Sequence, residues 1–150
     1  MRVYLVIMDE TEEANVALRF AARRAARTGG QVHLLALLPR QQFVAFSGVQ
    51  ATIEEEARAR AEALVTSAAG SLLGDGGTAP AIAVRQGEGA QVIRDYLTEH
   101  AEVAALVLGA AASGVPGPLV SHFTGVAGQL PCPLYVIPGG MSDAELDRLS

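Results

Sequence analysis

The sequence predicts an α/β protein with an open, five-stranded parallel sheet and helices on both faces. Five short apolar runs alternate along the 150-residue chain with segments that have the spacing of amphipathic helices. Strands separated by helices pair in parallel through right-handed crossovers. Half of the residues are hydrophobic, enough for one domain over 1–150, which we divide into a core, 1–138, and a tail, 139–150.

The first apolar run, RVYLVIM at residues 2–8, predicts a buried strand. Asp9 and Glu12 have the three-residue spacing of a capping box, the motif that marks the start of a helix. Small and apolar residues then recur with helical spacing until Gly29–Gly30, a pair typical of a helix end. We therefore predict a helix directly after the first strand.

Three arginines of this helix, Arg19, Arg23 and Arg27, are four residues apart and share one face. Such a row is either an anion-binding stripe or a solvated helix face. The solvated face is the simpler interpretation.

The second strand is predicted over 31–39, and it contains His33. We interpret this histidine as a packed or edge residue, because the neighbouring sequence supplies no set of metal ligands. The loop that follows carries Phe43 and Phe46 and is either a lid, a partner contact or a segment folded back on the body. A long helix is predicted over 52–73 from its apolar stripe.

The second half of the chain continues the alternation and ends in a tail. Glycine, proline and polar residues separate its apolar runs, as expected at turns. The predicted elements are strand 81–87, helix 89–100, strand 103–109, helix 119–129 and strand 132–138. Ser142 and Glu145 form another helix-start box in the tail, which predicts a short terminal helix.

Charge and composition exclude several classes of function. The net charge of −5 and the pI of about 5.1 argue against binding to nucleic acid or to an anionic membrane. The chain has no lysine, so the Walker phosphate loop cannot be present. Its one cysteine, Cys132, gives neither a disulfide framework nor a cysteine-rich metal site, and the N-terminus reads as a strand rather than a signal peptide. We expect a cytoplasmic protein that has no metal site of its own.

A ligand site is expected at the carboxyl edge of the sheet, where parallel sheets bind ligands at the point of strand reversal. Asp9 follows the first strand and Gly109 ends the fourth, so the two flank one crevice if those strands are neighbours. Gly114 and Gly117 permit positive φ in the loop after Gly109, and Ser121 falls in the first turn of the next helix. This pattern is typical of a phosphate-binding loop, although a simple tight turn has the same composition.

At these residues the chain resembles the universal stress proteins over nearly its whole length. The family opens with an apolar strand that ends in Asp, matched by VIMD at Asp9. It carries a glycine signature after a strand like ALVLG, which here ends at Gly109, and closes with a turn and strand like LPCPLYVIP at 130–138. The resemblance implies the strand order 3-2-1-4-5.

Some members of the family bind ATP or AMP, and others bind no nucleotide. In the binders the resemblance assigns the base to Asp9 and Leu37, with the ribose and the phosphates held at the glycine loop. The expected cofactor is ATP or AMP with Mg²⁺, or none. The corresponding loop positions run from Gly109 to Ser121 and are Gly109, Gly114, Gly117, Val120 and Ser121, with His122 adjacent. His122 is either a phosphate contact or a half-exposed helix residue. The family also implies a homodimer through the last strand, at Leu134, Tyr135, Val136 and Ile137.

The loop departs from the family signature in four ways. The interval from Gly109 to Ser121 is about two residues short, Ala112 stands at the second glycine, Val120 replaces the glycine before the serine, and a basic residue is missing. A charged phosphate contact contributes roughly 1.5–3 kcal/mol. Losing one weakens binding by about 10- to 100-fold.

Two functions follow from these observations. The first is a small regulatory protein that binds adenine nucleotide and reports energy state. The alternative is a nucleotide-free dimeric module that acts through protein partners. We expect that the protein is not an enzyme, because the sequence contains neither a nucleophile elbow nor a phosphoacceptor site. Slow ATP hydrolysis stays open as a side activity of the nucleotide-binding protein.

Overall fold

The computed structural model describes residues 1–38 and 47–150, in which strands and helices alternate. The strands are β1 Val3–Met8, β2 Gln31–Leu38, β3 Ala81–Gln86, β4 Val103–Ala110 and β5 Leu134–Pro138. The helices are α1 Glu12–Thr28, α2 Ser47–Gly74, α3 Gly89–Glu99, α4 Pro118–Gly125 and α5 Asp143–Leu149, with a 3-10 helix at Ala127–Gln129. The predicted loop residues Phe43 and Phe46 lie outside the described residues.

The strands form one parallel sheet in the order β3-β2-β1-β4-β5, which confirms the predicted fold class. The central strand β1 pairs with β2 on one side and with β4 on the other. The carboxyl ends of β1 and β4 are therefore neighbours, and the order of the strands reverses between them. The crevice expected at this edge therefore lies where the strand order reverses, which is where open parallel sheets bind ligands.

Two apolar clusters cover the two faces of the sheet, as alternation along the strands demands. Helices α1, α2 and α5 supply one face, and α3 and α4 supply the other. All six residues of β1 are buried, because helices cover both of its faces.

Three helices begin or end elsewhere than the sequence predicts. The N-cap of α1 is Thr11, whose hydroxyl accepts the N–H of Ala14, so the predicted box of Asp9 and Glu12 is wrong. Helix α2 begins at Ser47 instead of residue 52. The single helix predicted over 119–129 is divided after Gly125, a residue that weakens a helix interior by about 1 kcal/mol relative to alanine.

The tail folds as the predicted helix, α5, with the capping box of Ser142 and Glu145 present. Its Leu146 is fully buried in the cluster on the α1 face, so the tail contributes to the core. No helix in the described part of the chain is long and apolar enough to cross a bilayer.

The row of arginines on α1 binds this terminal helix and is not simply a solvated face. The guanidinium of Arg19 lies 3.3 Å from a carboxylate oxygen of Asp143, and that of Arg23 pairs with both Asp143 and Asp147. Arg27 donates a hydrogen bond to the backbone oxygen of Asp147. Sequence reasoning missed this role because the partners are more than 100 residues apart, and local spacing carries no sign of them.

Candidate functional site

A small cavity lies at the carboxyl edge between β1 and β4, and we call it the edge cavity. Its volume is about 130 Å³, and its walls come from the end of β1, the start of α1, the end of β4 and the start of α4. It is lined by Ile7, Asp9, Thr11, Glu13, Ala14, Leu108, Gly109, Pro116, Gly117, Pro118, Leu119 and Val120. The fold thus brings together Asp9, Gly109, Gly117 and Val120 of the predicted site.

Asp9 is exposed at the mouth of the edge cavity and holds the start of α1. Its Oδ1 atom accepts the backbone N–H of Thr11 at 2.9 Å and also the hydroxyl of Thr11. Both bonds go to the same oxygen, which leaves Oδ2 for a donor from outside the chain. Asp9 can therefore position the helix and contact a ligand at once.

Gly109 is required by packing between β4 and α1. A Cβ atom at this position would lie 2.1 Å from the backbone oxygen of Glu13 and 2.5 Å from its carbonyl carbon. Only a residue without a side chain lets the two backbones come this close. The glycine therefore has a structural explanation that is independent of any phosphate.

The loop before α4 is built by two glycines with positive φ. Gly114 has φ +75° and Gly117 has φ +117°, and Gly117 caps α4 while Pro118 occupies its first turn. In that turn Ser121 N–H donates to the oxygen of Gly117 at 3.0 Å. The earlier N–H groups, those of Leu119 and Val120, have no intrahelical acceptor, and both residues line the edge cavity. These two donors can bind an anion.

Two of the predicted loop contacts lie outside the walls of the edge cavity. Ser121 is exposed one residue beyond Val120, and Gly114 is also exposed. Val120 itself is buried, with 6% of its surface exposed, and it packs in the cluster under α3 and α4. The replacement of glycine by Val120 thus adds a side chain to the core, while its N–H stays available at the cavity.

Leu37 lies beside a second cavity, which meets the first at Asp9. This cavity has a volume of about 310 Å³, and α2 forms its far wall. Its lining includes Asp9, Leu37 and the exposed Arg60. Ligand pockets usually have at least about 300 Å³, so the two cavities together provide a suitable space. Sequence reasoning missed Arg60, because nothing in the helix pattern points it toward Asp9.

The charge of the edge cavity is unfavourable to a free polyphosphate. Asp9 and Glu13 line it, and its lining includes no lysine, arginine or histidine among the described residues. Arg60 contributes positive charge from the neighbouring cavity. A nucleotide with several phosphates would need a cation to offset these carboxylates.

His122 does not face the edge cavity. Its Nε2 atom lies 3.1 Å from a guanidinium nitrogen of Arg94 on α3, and its ring packs edge-on against Phe123. Nearby, Glu88 caps α3, and the backbone N–H groups of Gln91 and Ala90 lower the pKa of its carboxyl. The structure therefore places His122 beside α3, outside the lining of the edge cavity.

The four residues predicted for a dimer interface differ in exposure. Strand β5 ends the sheet, yet Ile137 is buried in the chain's own core and Tyr135 packs edge-on against Phe20. Leu134 packs in the cluster under α3 and α4. Val136 has 37% of its surface exposed, so it is the member of this set that offers a side chain to a partner.

The single cysteine, Cys132, is half-buried in the turn before β5. Burial raises the pKa of the Cys132 thiol, although a hydrogen bond with the backbone of Leu106 acts the other way. The thiolate form is therefore disfavoured, and with it reactivity as a nucleophile.

Comparisons with known proteins identify the same family that the sequence resembles. The profile of the universal stress protein family matches residues 1–138. A search of curated proteins found no matching relative.

Solved structures with the same fold share little sequence identity with the chain. Universal stress protein UspA from Lactobacillus plantarum aligns with a TM-score of 0.71 and 20% identity, over 91% of this chain and 97% of that one. A universal stress protein from Arabidopsis thaliana with AMP bound has a TM-score of 0.63 and 15% identity, over 97% and 95%. The protein from Archaeoglobus fulgidus in complex with dAMP has a TM-score of 0.55 and 18% identity, over 91% and 97%.

Proposed function

The chain belongs to the universal stress protein family, and from this premise we propose that it binds an adenine nucleotide at the carboxyl edge of its sheet. The observation that carries the proposal is the meeting of Asp9, Gly109 and the first turn of α4 in one cavity. Relatives of the same fold were solved with AMP and with dAMP, which supports this class of ligand. The role that fits is regulatory, with nucleotide occupancy as the signal and no catalytic step.

The arrangement of charge favours a nucleotide with one phosphate. The edge cavity supplies two free N–H donors, from Leu119 and Val120, and two carboxylates, from Asp9 and Glu13. Each further phosphate adds repulsion from these carboxylates, and the loop has no basic residue to offset it. We therefore expect AMP to bind without a metal, and ATP to bind only with Mg²⁺.

Different residues would hold the base and the phosphate of the nucleotide. Asp9, Leu37 and Arg60 line the second cavity, which has room for the base. The N–H groups at the start of α4 are placed for the phosphate. Asp9 lines both cavities, so its contact with the base would lie next to the contact of α4 with the phosphate.

Titration calorimetry of ligand-stripped protein tests this function. AMP is expected to bind in the micromolar range. Asp9→Asn should weaken binding by about 10- to 100-fold, because a hydrogen bond to a charged group contributes roughly 1.5–3 kcal/mol. Asp95→Asn, at an exposed site on α3, is the matched control and should bind as the native protein does.

Either of two results would contradict the proposal. One is the absence of heat with AMP and with Mg²⁺ and ATP, for protein whose circular dichroism shows that it is folded. The other is equal affinity of the native protein and the Asp9→Asn variant. Ser121→Ala tests whether the serine hydroxyl contacts the ligand. Ser121 is not among the residues that line the edge cavity, so we expect a smaller loss of AMP affinity than for Asp9→Asn.

A second function is favoured by the exposed edge at β5, and we propose that the chain forms a homodimer there. An unprotected edge strand presents free backbone groups, and Val136 adds an exposed apolar side chain to it. Sedimentation should give the mass of a dimer for the native protein and of a monomer for Val136→Lys. Leu73→Lys, at an exposed apolar residue of α2, is the control and should remain dimeric. A monomeric native protein would contradict this proposal.

A further inference from the structure

Two histidines and a glutamate meet at the edge of the sheet opposite to the nucleotide cavity. His33 lies near the start of β2, His100 follows α3, and Glu102 precedes β4. One donor atom from each of the three side chains lies within 4.8 Å of the others. Local sequence patterns do not reveal this group, because His33 is 67 residues away from His100 in the chain.

We propose that His33, His100 and Glu102 form a binding site for a divalent first-row transition metal, with Zn²⁺ as its representative. Two imidazoles and one carboxylate are a ligand set that zinc takes in proteins, with water in the fourth position. The proposal concerns the amino ends of the strands and does not depend on nucleotide binding.

The distances are compatible with one metal ion. Tetrahedral bonds of about 2.0–2.1 Å put neighbouring ligand atoms about 3.3 Å apart. His100 Nδ1 and Glu102 Oε1 already lie 3.0 Å apart, joined by a hydrogen bond. A metal ion would take the place of the proton that these two atoms share. The glutamate is exposed and the histidine is half-buried, so small side-chain rotations can close the remaining gap to His33.

The third ligand, His33, is held by its neighbours. Only 7% of its surface is exposed, and its Nδ1 atom lies 2.7 Å from the hydroxyl of Tyr96. This bond leaves Nε2 as the nitrogen for a metal, and a fixed hydrogen bond on the other nitrogen is the usual support of a histidine ligand. The ring of Tyr96 also stacks on His100, with 4.1 Å between the centroids. Tyr96 therefore orients both imidazoles.

The charges around the cluster suit a dication. Arg85 lies with its guanidinium 4.8 Å from the centre of the Tyr96 ring, but it is paired with the carboxylate of Glu99 at 2.8 Å. Glu102 is then the negative charge that remains beside the two histidines.

The test is a titration of tag-free, EDTA-treated protein with Zn²⁺ alone, in competition with a chromophoric chelator. The chain has three histidines, and His122 is the one outside the cluster, so His122→Ala is a matched control. We expect one Zn²⁺ per chain for the native protein and for His122→Ala. His100→Ala and Glu102→Gln should each weaken binding at least about 10-fold, the loss seen even for residues that only support a metal ligand.

Thiol binding is excluded in the same experiment by Cys132→Ser, which should retain the zinc affinity of the native protein. Both ligand variants alter residues that are not fully buried, so their circular dichroism should match that of the native chain. The proposal is overturned if the native protein takes up no Zn²⁺. It is equally overturned if binding survives His100→Ala and Glu102→Gln, or is lost with His122→Ala or Cys132→Ser.

Discussion

Alanine at position 109 would test whether this glycine is needed by the fold or by a ligand. The added Cβ would lie 2.1 Å from the backbone oxygen of Glu13, where ordinary contacts are at least 3.4 Å. Both atoms belong to rigid parts of the backbone, so no side-chain rotation can relieve the overlap. Helix α1 and strand β4 must instead separate by about 1 Å, through a core that is packed at the density of a crystal.

The expected cost of Gly109→Ala is about 3 kcal/mol of unfolding free energy. Overpacking a core costs typically 1–3 kcal/mol, and a clash between two backbones falls at the upper end of that range. At about 2–4 °C per kcal/mol for a chain of this size, the melting temperature should fall by roughly 6–12 °C. Because the variant disturbs the whole wall of the edge cavity, its effect on nucleotide affinity would not identify a contact.

Urea denaturation without ligand measures this cost, with Gly125→Ala as the matched control. A Cβ at Gly125 in α4 meets no atom within 4 Å, so this variant should gain about 0.4–1 kcal/mol from the lower entropy of the unfolded chain. If Gly109→Ala lost less than about 0.5 kcal/mol, a change typical of surface sites, the packing argument would be refuted. The glycine would then be explained by a ligand alone.

Two further predictions concern the tail and the start of α3. Leu146→Ala should lower the free energy of unfolding by about 2–5 kcal/mol, because the leucine side chain is fully buried. Leu149→Ala, at a residue that is 49% exposed, should lower it far less. Thermal melts compare the two variants, and equal losses would show that α5 is not part of the core. Backbone N–H groups of the first turn of α3 lower the pKa of Glu88, so the pKa in the folded protein lies below the unfolded value of 4.5. The charged carboxylate therefore stabilises the fold, and this stabilisation is lost as the pH falls through the folded pKa. Glu88→Gln should reduce this loss of stability on acidification, measured by urea midpoints below neutral pH. Identical pH profiles for Glu88→Gln and the native protein would contradict this prediction.

The fold was predictable because its signals are local. Each strand is an apolar run bounded by glycine, proline or polar residues, and parallel pairing follows once helices separate the strands. The order of the strands came from the family resemblance. The terminal helix was predictable for the same reason, since Ser142 and Glu145 are both members of one capping box.

The parts that were missed depend on contacts between distant residues. The arginines of α1 pair with α5 across more than 100 residues. His33 meets His100 only because α3 covers the face of the sheet on which the His33 side chain lies. Only some of the residues around the edge cavity were predicted correctly from the sequence. Topology placed Asp9 beside Gly109, but spacing could not show that Ser121 stands outside the wall or that His122 turns toward Arg94.

Amide chemical-shift mapping by NMR measures where AMP binds on the folded protein and so tests the proposed nucleotide site most directly. We expect the largest shifts on the amides of residues around the edge cavity, namely Asp9, Thr11, Gly109, Leu119 and Val120. Shifts confined to the opposite edge of the sheet, or no shifts at saturating AMP, would contradict it.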